Sequence, residues 1–391
     1  MLSNSMATAN IGKILTTVAV ATYILAIVTK IIQGVTKLTF SLIVQIVGIL
    51  TLSLSVDYTE LLPWKHAVVV IATLMALYHL PSRHLPVNNK AVLITGCDTG
   101  IGHELAIQLD KLGFYVYAGC LDNNGEGQSK LKEACSDRLT TIQLDVSDVT
   151  QVQQAAKEVT MAISAKGQEL WGVVNNAGIC YVGNVEMMTS DDMQRVVSVN
   201  YMGPVNVCKH FLPLLRRSKG RIVNVASNAG LAPVPLMGVY CASKSALATM
   251  TEVWRYEFKP WGIKVATIIP SGYRTGIMKY DRQAAGERWW REASDTVKQD
   301  YGKDCFYIRF KADNHESFLS AQFTELIDNV TDALLSTSPK SYYYSGFLSK
   351  ALPFIYLHLP TWLSDPIMSV LVNWFEFKPK MLYSQREKKQ G

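Results

Sequence analysis

The first 87 residues of the chain are dominated by apolar runs that few charges interrupt. Residues 14–29 and 38–56 carry no charge, and the second run has the length of a membrane-spanning helix. A third run, residues 67–80, is shorter and is flanked by aromatic and basic residues typical of membrane interfaces. Because a cleaved signal peptide accounts for one such run and not for three in succession, the pattern predicts two or three transmembrane helices.

Beyond residue 88 the apolar residues occur in short runs that alternate with amphipathic segments. The short runs predict buried parallel strands at residues 91–95, 114–118, 140–144, 172–174, 221–225 and 263–269. The segments between them predict helices at 151–165, 190–216 and 240–258. This alternation predicts an α/β fold of the Rossmann type, a doubly wound parallel sheet with helices on both faces.

The change of pattern along the chain predicts three regions. Residues 1–87 form a membrane anchor, 88–280 a nucleotide-binding catalytic core, and 281–391 a substrate lid with a C-terminal extension that faces the membrane. Within this extension residues 351–375 are apolar but contain Pro353, Pro360 and Pro366, so they do not form one straight spanning helix. We expect them to lie along the bilayer surface.

Composition narrows the partners and the compartment. Lys and Arg number 38 against 32 Asp and Glu, and a net charge of +6 on 391 residues does not predict binding to nucleic acid. The last 15 residues alone carry five basic residues and one acidic residue, which is a basic tail suited to a membrane surface. The seven cysteines form no CxxC pair, so free thiols in a reducing compartment are expected. The basic residues after the third apolar run favour a cytosolic location for residues 88–391.

The first predicted strand ends in a glycine-rich turn at residues 95–102. Glycines at a strand-to-helix turn let the backbone approach a pyrophosphate at the positive end of the helix. The spacing is GxxxGxG and not the common dinucleotide spacing GxGxxG. The cofactor-binding residues predicted in this turn are Thr95, Gly96, Asp98, Gly100, Ile101 and Gly102.

Polar residues that can carry proton transfer follow at later strand ends. Ser227 comes after a strand, and Tyr240 precedes Lys244 by four residues on a helix, which puts the two on one face. A nearby ammonium favours a phenolate, so we expect Lys244 to lower the pKa of Tyr240. Each of these residues also has a purely structural explanation when it is considered alone. A Tyr and a Lys four residues apart occur on helix surfaces, a serine after a strand can cap a helix, and Asn200 could be a buried amide within a helix.

Together these residues resemble the short-chain dehydrogenase/reductase family of the classical type, whose TGxxxGxG, NNAG, Asn, Ser and YxxxK motifs appear here in order. The resemblance implies that Tyr240, Lys244, Ser227 and Asn200 are catalytic and that Lys244 also holds the cofactor ribose. It implies a nicotinamide cofactor and no metal. The further cofactor contacts that it implies are Asp145, Val146, Asn175, Ala177, Gly178, Pro270 and Thr275.

Charge near the second strand bears on the choice between NAD and NADP. Residues 115–128 contain no basic residue, whereas Asp98 and Asp122 are acidic. A carboxylate accepts hydrogen bonds from a ribose and repels a 2′-phosphate, so NAD is favoured and NADP remains the alternative. Two departures from the family pattern are Cys120, where many relatives have an acid, and Pro270-Ser271-Gly272, where PG is more common.

Residues 211–225 and 261–268 resemble the branch of the family that holds hydroxysteroid, retinol and mitochondrial 3-hydroxybutyrate dehydrogenases. The apolar start of the chain favours a steroid-type enzyme in the endoplasmic reticulum, since a mitochondrial transit peptide would be rich in Arg. Aromatic residues in the predicted lid suit a lipophilic alcohol, such as a steroid or retinoid. The alternatives are a mitochondrial 3-hydroxybutyrate-type dehydrogenase and a non-catalytic nucleotide-binding scaffold. The resemblance also allows a homodimer through the helix of Tyr240.

Overall fold

The computed structural model describes residues 2–32, 40–58, 65–79, 83–122, 124–278, 280–307, 309–310, 319–370, 375–376 and 379–381. The chain divides into two compact units. The first comprises Met1–Leu85 with Ser336–Ser338, and the second comprises Pro86–Leu335 with Pro339–Gly391. The first unit therefore holds the apolar N-terminal helices and the second holds the strands.

Three helices make up most of the first unit: α1 (Leu2–Ile32), α2 (Phe40–Tyr58) and α3 (Lys65–His79). Tyr23 and Val69 lie in their shared core, while Ile14 and Leu25 are exposed. Apolar residues on all sides are typical of helices that lie in lipid. Within the described residues Ile11–Lys30 is long and apolar enough to cross a membrane, whereas Leu42–Ser53 and His66–Leu77 are shorter. The start of the predicted second run, residues 38 and 39, lies outside the described residues.

The second unit is built on a parallel sheet. Its strands are β1 (Lys90–Thr95), β2 (Tyr115–Cys120), β3 (Leu139–Gln143), β4 (Glu169–Asn175), β5 (Arg221–Val225) and β6 (Lys264–Pro270), and, after a short β7 (Arg309–Phe310), β8 (Tyr342–Ser345). Seven strands pair in the order β3-β2-β1-β4-β5-β6-β8. All of these pairs are parallel, which confirms the predicted α/β fold. A separate pair joins β7 to β9 (Phe375–Glu376).

Helices connect the strands. They are α4 (Gly100–Lys111), α5 (Glu126–Ala134), α6 (Val149–Ala165), α7 (Ser190–Val197), α8 (Gly203–Ser218), α9 (Gly238–Glu257), α10 (Arg282–Glu292), α11 (Asp295–Tyr301), α12 (Thr324–Leu335), α13 (Leu348–His358) and α14 (Thr361–Ser369). The sequence predicts one helix over 190–216, but a π-helical turn at Ser198–Met202 separates α7 from α8. Such wide turns often occur at functional sites.

The hydrophobic core of the second unit packs the sheet against its helices. Leu93 and Val173 on neighbouring strands pack with Phe211 and Leu215 of α8, and all four are fully buried. Each of these side chains stabilises the fold by about 1.5–3 kcal/mol relative to an exposed position. The strand order reverses between β1 and β4, and in such sheets ligands bind at the carboxyl ends of the strands beside that reversal.

The C-terminal apolar segment forms two helices. Pro353 lies inside α13 and Pro366 inside α14, and the segment does not form one straight helix, as the sequence predicts. Pro360 does separate the helices, because it caps the start of α14 in an extended conformation. Of the predicted basic tail, residues 377–391, the structure describes residues 379–381, and the rest lies outside the described residues.

Candidate active site

A cavity of about 500 Å³ opens at the carboxyl ends of the strands. Twelve of the residues predicted from the sequence line it: Gly96, Asp98, Ile101, Asp145, Val146, Ala177, Gly178, Ser227, Tyr240, Lys244, Pro270 and Thr275. Six others lie close by without lining it, namely Thr95, Gly100, Gly102, Asp122, Asn175 and Asn200. One cavity is therefore lined by residues of the glycine turn and by Ser227, Tyr240 and Lys244.

The glycine turn is shaped by close backbone packing. Gly96 and Gly100 have positive φ angles of 71° and 66°, which disfavour other residues. A Cβ atom on Gly102 would lie 2.2 Å from the carbonyl oxygen of Gly96, so the start of α4 packs directly on the turn. The side chain of Thr99 does not cap α4, and the first backbone N–H groups are left to bind an anion. This geometry fits a dinucleotide pyrophosphate.

Thr95 and Asn176 fasten the turn to the end of β4. Thr95 Oγ1 accepts hydrogen bonds from the backbone N–H groups of Asn176 and Ala177, both at 3.0 Å. Asn176 Nδ2 donates to the carbonyl oxygens of Thr95 at 2.9 Å and Gly96 at 3.1 Å. Thr95 thus shapes the cofactor site from behind the turn and does not line the cavity.

Of the two adjacent asparagines, the structure places Asn176 at the cavity and buries Asn175 in the sheet. Asn175 Nδ2 donates to Asn224 Oδ1 on β5 at 2.8 Å. The predicted cofactor contact of Asn175 therefore needs correction, because successive residues of a strand point to opposite faces and the next residue is the one that faces the cavity. The sequence did not show where β4 ends, so it could not distinguish the two.

Ser227 and Tyr240 meet inside the cavity. Ser227 follows β5 and Tyr240 lies on α9, and both residues line the cavity. Burial raises the pKa of Tyr240 well above its usual value, neighbouring Cys180 raises it further, and the nearby hydroxyl of Ser227 opposes both. The structure therefore favours a protonated phenol beside a hydroxyl group.

Lys244 lies one turn beyond Tyr240 and is almost fully buried. Its Nζ donates to the carbonyl oxygen of Val225 at 2.8 Å, and burial lowers its pKa to about 8. The sequence-based expectation that Lys244 lowers the pKa of Tyr240 is not met, since the pKa of the phenol is raised. The reason is that removal from water disfavours the charged forms of both side chains.

Asn200 lies in the π-helical turn and is fully buried. Its Oδ1 accepts from the N–H of Ile179 at 2.8 Å, and its Nδ2 donates to Ile179 O at 2.9 Å and to Ser243 Oγ at 3.0 Å. Ser243 Oγ in turn donates to the carbonyl oxygen of Tyr240 at 2.7 Å. Asn200 thus connects the segment after β4 to α9, which places it as a positioning residue.

Two carboxylates lie at the end of β2. Asp98 accepts hydrogen bonds from the backbone N–H groups of Leu121 and Asp122, both at 3.0 Å. Asp122 Oδ1 accepts from the N–H of Asn124 at 3.0 Å. Gly100, Asp98 and Asp122 line a depression next to the main cavity. Lys130 also lines it, but its ammonium pairs with Glu126 at 2.7 Å.

The wall opposite the glycine turn is mostly apolar, and sequence reasoning missed it. Its described residues come from several separate segments: Cys180, Tyr181, Val234, Met237, Ile277, Tyr280, Leu319, Leu348 and Leu352. Trp289, an aromatic residue of the predicted lid, does not line the cavity but is buried and packs edge to face against Tyr181, which does. Among the described residues no group of three His, Cys, Asp or Glu side chains is placed to hold a metal ion.

At Pro270-Ser271-Gly272 the sequence departs from the family pattern, and the side chain of Ser271 faces a glycine, Gly346. Ser271 lines the cavity, and its N–H donates to the carbonyl oxygen of Ser345 at 2.9 Å. Gly346 has a φ of 88°, and a Cβ atom there would lie 2.2 Å from Ser271 Oγ. The serine therefore fits because the facing residue has no side chain.

Known proteins resemble the chain in sequence and in fold. The model of a family described as short chain dehydrogenase matches residues 90–286. The estradiol 17-beta-dehydrogenase 2 of Mus musculus is 37% identical over 306 residues, which cover 76% of this chain and 79% of that protein. The mitochondrial D-beta-hydroxybutyrate dehydrogenase of Bos taurus is 38% identical over 268 residues, covering 66% of this chain and 77% of that protein.

A solved short-chain dehydrogenase from Streptomyces avermitilis superposes with a TM-score of 0.54 at 23% identity, covering 73% of this chain and 96% of that one. At this identity the likeness bears on the fold, and it agrees with the seven-stranded parallel sheet. The family match and the sequence relatives bear on the chemistry. The chain therefore belongs to the short chain dehydrogenase family and is an oxidoreductase that acts on CH–OH groups with a nicotinamide cofactor.

Proposed function

We propose that this protein is a membrane-bound, NAD-dependent dehydrogenase that interconverts a lipophilic secondary alcohol, of steroid or retinoid type, and its ketone. The observation that carries the proposal is the single cavity in which the glycine turn, the Ser227–Tyr240 pair and an apolar wall meet. The names of the relatives agree with a steroid substrate or with 3-hydroxybutyrate. The apolar wall favours the first.

Residues of the glycine turn and of the neighbouring loops would hold the cofactor. The N–H groups at the start of α4, together with Gly96 and Ile101, would hold the pyrophosphate, and the loop of Asp145 and Val146 would hold the adenine. Thr275 and Pro270 line the same cavity as Ala177 and Gly178 and would hold the nicotinamide. When bound, the nicotinamide accepts or supplies the hydride.

The carboxylates of Asp98 and Asp122 favour NAD over NADP. Both lie at the end of β2, where the carboxylate of Asp98 accepts hydrogen bonds from two backbone N–H groups and so holds the loop in place. A 2′-phosphate next to these charges would be repelled, whereas ribose hydroxyls can donate to a carboxylate. Lys130 is paired with Glu126, so its charge is already partly neutralised.

Proton transfer is assigned to Tyr240. In the direction of reduction, the phenol that burial keeps protonated donates its proton to the developing alkoxide. Donation leaves a phenolate, which the Lys244 ammonium one helical turn away stabilises, and in the direction of oxidation this phenolate accepts the hydroxyl proton and returns to the phenol. Ser227 donates a hydrogen bond to the substrate oxygen, and Asn200 keeps α9 in register with the segment after β4.

The charges in the cavity favour an uncharged substrate. Among the described lining residues the basic ones are Arg195, on α7, and Lys244, which is bonded to Val225. None of the described residues of the apolar wall is basic. A carboxylate such as 3-hydroxybutyrate requires a cation beside the alcohol that reacts, so this substrate is the second candidate.

We assign residues 1–87 to the membrane anchor, residues 88–280 to the catalytic core, and residues 281–391 to the lid and C-terminal extension. We place the enzyme in the endoplasmic reticulum with the catalytic unit in the cytosol, and a mitochondrial membrane is the alternative. Two observations support the cytosolic side. All seven cysteines are thiols, and the amide of Asn329, in the one glycosylation sequon, donates inward to Tyr344 O and Ser345 Oγ.

The proposal is tested with membranes from cells that express the full chain. NADH or NADPH formation is measured with steroid alcohols, retinol and 3-hydroxybutyrate, and Tyr240→Phe serves as the control for catalysis. We expect oxidation of a lipophilic alcohol with NAD, and a loss of about 10²–10⁴-fold in Tyr240→Phe with cofactor binding unchanged. Oxidation of 3-hydroxybutyrate alone would support the second candidate. Equal activity of Tyr240→Phe and wild type would refute the catalytic assignment.

A further inference from the structure

The outer surface of α13 and α14 is apolar and exposed. Within residues 347–370 eight large apolar side chains are exposed, against ten among the described residues of the whole 86–335 segment. Phe347 is 84% exposed and Trp362 is 74% exposed. We call this surface the C-terminal face, and it consists of Phe347, Phe354, Tyr356, Leu357, Trp362, Leu363, Ile367 and Val370. Apolar residues at this density mark an interaction surface.

The opposite side of α13 belongs to the active-site cavity. Leu348 and Leu352 line that cavity and lie one turn apart on α13. Leu352 also packs against a small core that includes Ala232 and Met368. One helix thus separates the cavity from the C-terminal face, with apolar side chains on both sides of it.

From this arrangement we infer that the C-terminal face docks on an anionic phospholipid bilayer and that lipophilic substrate enters the cavity past α13. The inference rests on the proposed function, because it supplies the route by which a membrane-dissolved alcohol reaches Tyr240. The inference adds a second contact with the bilayer, through residues 347–370, to the one proposed for the N-terminal helices.

Charge and residue type favour lipid over a protein partner. Trp362 and Tyr356 are exposed beside aliphatic residues, as in helices that lie in the membrane interface. The chain continues from these helices into residues 377–391, which carry Lys378, Lys380, Arg386, Lys388 and Lys389 against Glu387. A basic segment that follows an apolar surface in the sequence matches the headgroups of an anionic bilayer.

Docking is tested on the full-length protein in lipid nanodiscs. A photoreactive amino acid is introduced at position 357 or 362, and at position 161 as the matched control, since Met161 is an exposed apolar residue on α6, 64% exposed. We expect positions 357 and 362 to crosslink to phospholipid and position 161 to remain unlabelled by it. Crosslinking to a second copy of the chain, or lipid labelling at position 161 equal to that at 362, would overturn the inference.

Substrate entry is tested by kinetics in the same nanodiscs. Leu357→Glu and Trp362→Glu are compared with Met161→Glu, using a bilayer-dissolved steroid alcohol and a water-soluble secondary alcohol that the wild type oxidises. We expect a rise of at least about tenfold in KM for the steroid, with kcat/KM for the soluble alcohol within about twofold of wild type. Equal losses with both alcohols, or no change with either, would contradict the inference. If the wild type oxidises no alcohol at all, the proposed function fails, and the crosslinking result still decides whether the face docks on lipid.

Discussion

The carboxylate of Asp192 accepts a hydrogen bond from Nε1 of Trp289 at 2.7 Å, although the two residues lie far apart in the chain. Arg288 donates to the same carboxylate oxygen from Nη2 at 2.6 Å and from Nε at 3.2 Å. Asp192 lies on α7, just before the turn of Asn200, and Trp289 lies on α10. Trp289 packs edge to face against Tyr181, which lines the cavity. A single buried carboxylate therefore holds α10 against α7.

Replacing Asp192 by Asn is expected to weaken both the fold and substrate binding. The amide loses the charge that pairs with Arg288, and neither of its N–H groups can bond to Arg288 or Trp289, because both of these side chains only donate. We expect the free energy of unfolding to fall by about 1–3 kcal/mol and KM for the alcohol to rise, with the Kd of NADH unchanged. Glu126→Gln, at an exposed ion pair, is the control and should change the stability much less, because solvent screens that pair. A change in Asp192→Asn as small as in the control would contradict this role.

The same carboxylate predicts how stability depends on pH. Burial raises the pKa of Asp192, but the hydrogen bonds from Arg288 and Trp289 outweigh burial and leave the pKa below its usual value. A carboxylate whose pKa is lowered in the folded state stabilises the fold above its unfolded pKa of about 3.9, and this contribution is lost as the pH falls through the folded value. Urea unfolding between pH 3 and 7 should show a smaller acid-induced loss in Asp192→Asn than in wild type. Parallel curves for the two proteins would refute the prediction.

Asp122→Asn is expected to relax the preference for NAD. Removing one of the two carboxylates at the end of β2 reduces repulsion of a 2′-phosphate, and we expect the ratio of kcat/KM for NADP to that for NAD to rise roughly tenfold, or about 1.4 kcal/mol. Glu133→Gln, which removes a carboxylate from the helix that follows, α5, is the control. An unchanged ratio in Asp122→Asn, or an equal rise in Glu133→Gln, would show that this carboxylate does not select the cofactor.

Ser271 and Gly346 are expected to be energetically coupled. Gly346→Ala introduces a methyl group at a positive φ and within 2.2 Å of Ser271 Oγ, so it should destabilise the protein by about 1–3 kcal/mol. Adding Ser271→Gly removes the clash and leaves the backbone strain, so part of the loss should be recovered. A double-mutant cycle on unfolding free energies is expected to give a coupling of about 0.5–3 kcal/mol. Strict additivity would contradict the contact.

Local patterns were sufficient to predict the order of the elements and most of the motif positions. Six of the seven strands of the main sheet appeared as apolar runs, because parallel strands covered on both faces need apolar residues throughout. β8 was missed because Tyr342–Ser345 joins the edge of the sheet through pairing with β6, which no local period records. The glycine turn follows from its place after a strand of a parallel sheet, whereas Ser227, Tyr240 and Lys244 were predicted from the motifs that resemble the short-chain dehydrogenases.

Tertiary structure alone decided what depends on orientation and burial. It placed Asn176 and not Asn175 at the cavity, since the end of β4 sets which side chain faces outward. It raised the pKa of Tyr240 where spacing on a helix predicted the opposite, because loss of solvent is a property of the folded surroundings. It also brought Asp192 to Trp289 and Leu352 to the cavity wall. Such contacts join segments distant in the chain, so the sequence determined the residues that could react, and packing determined which of them meet.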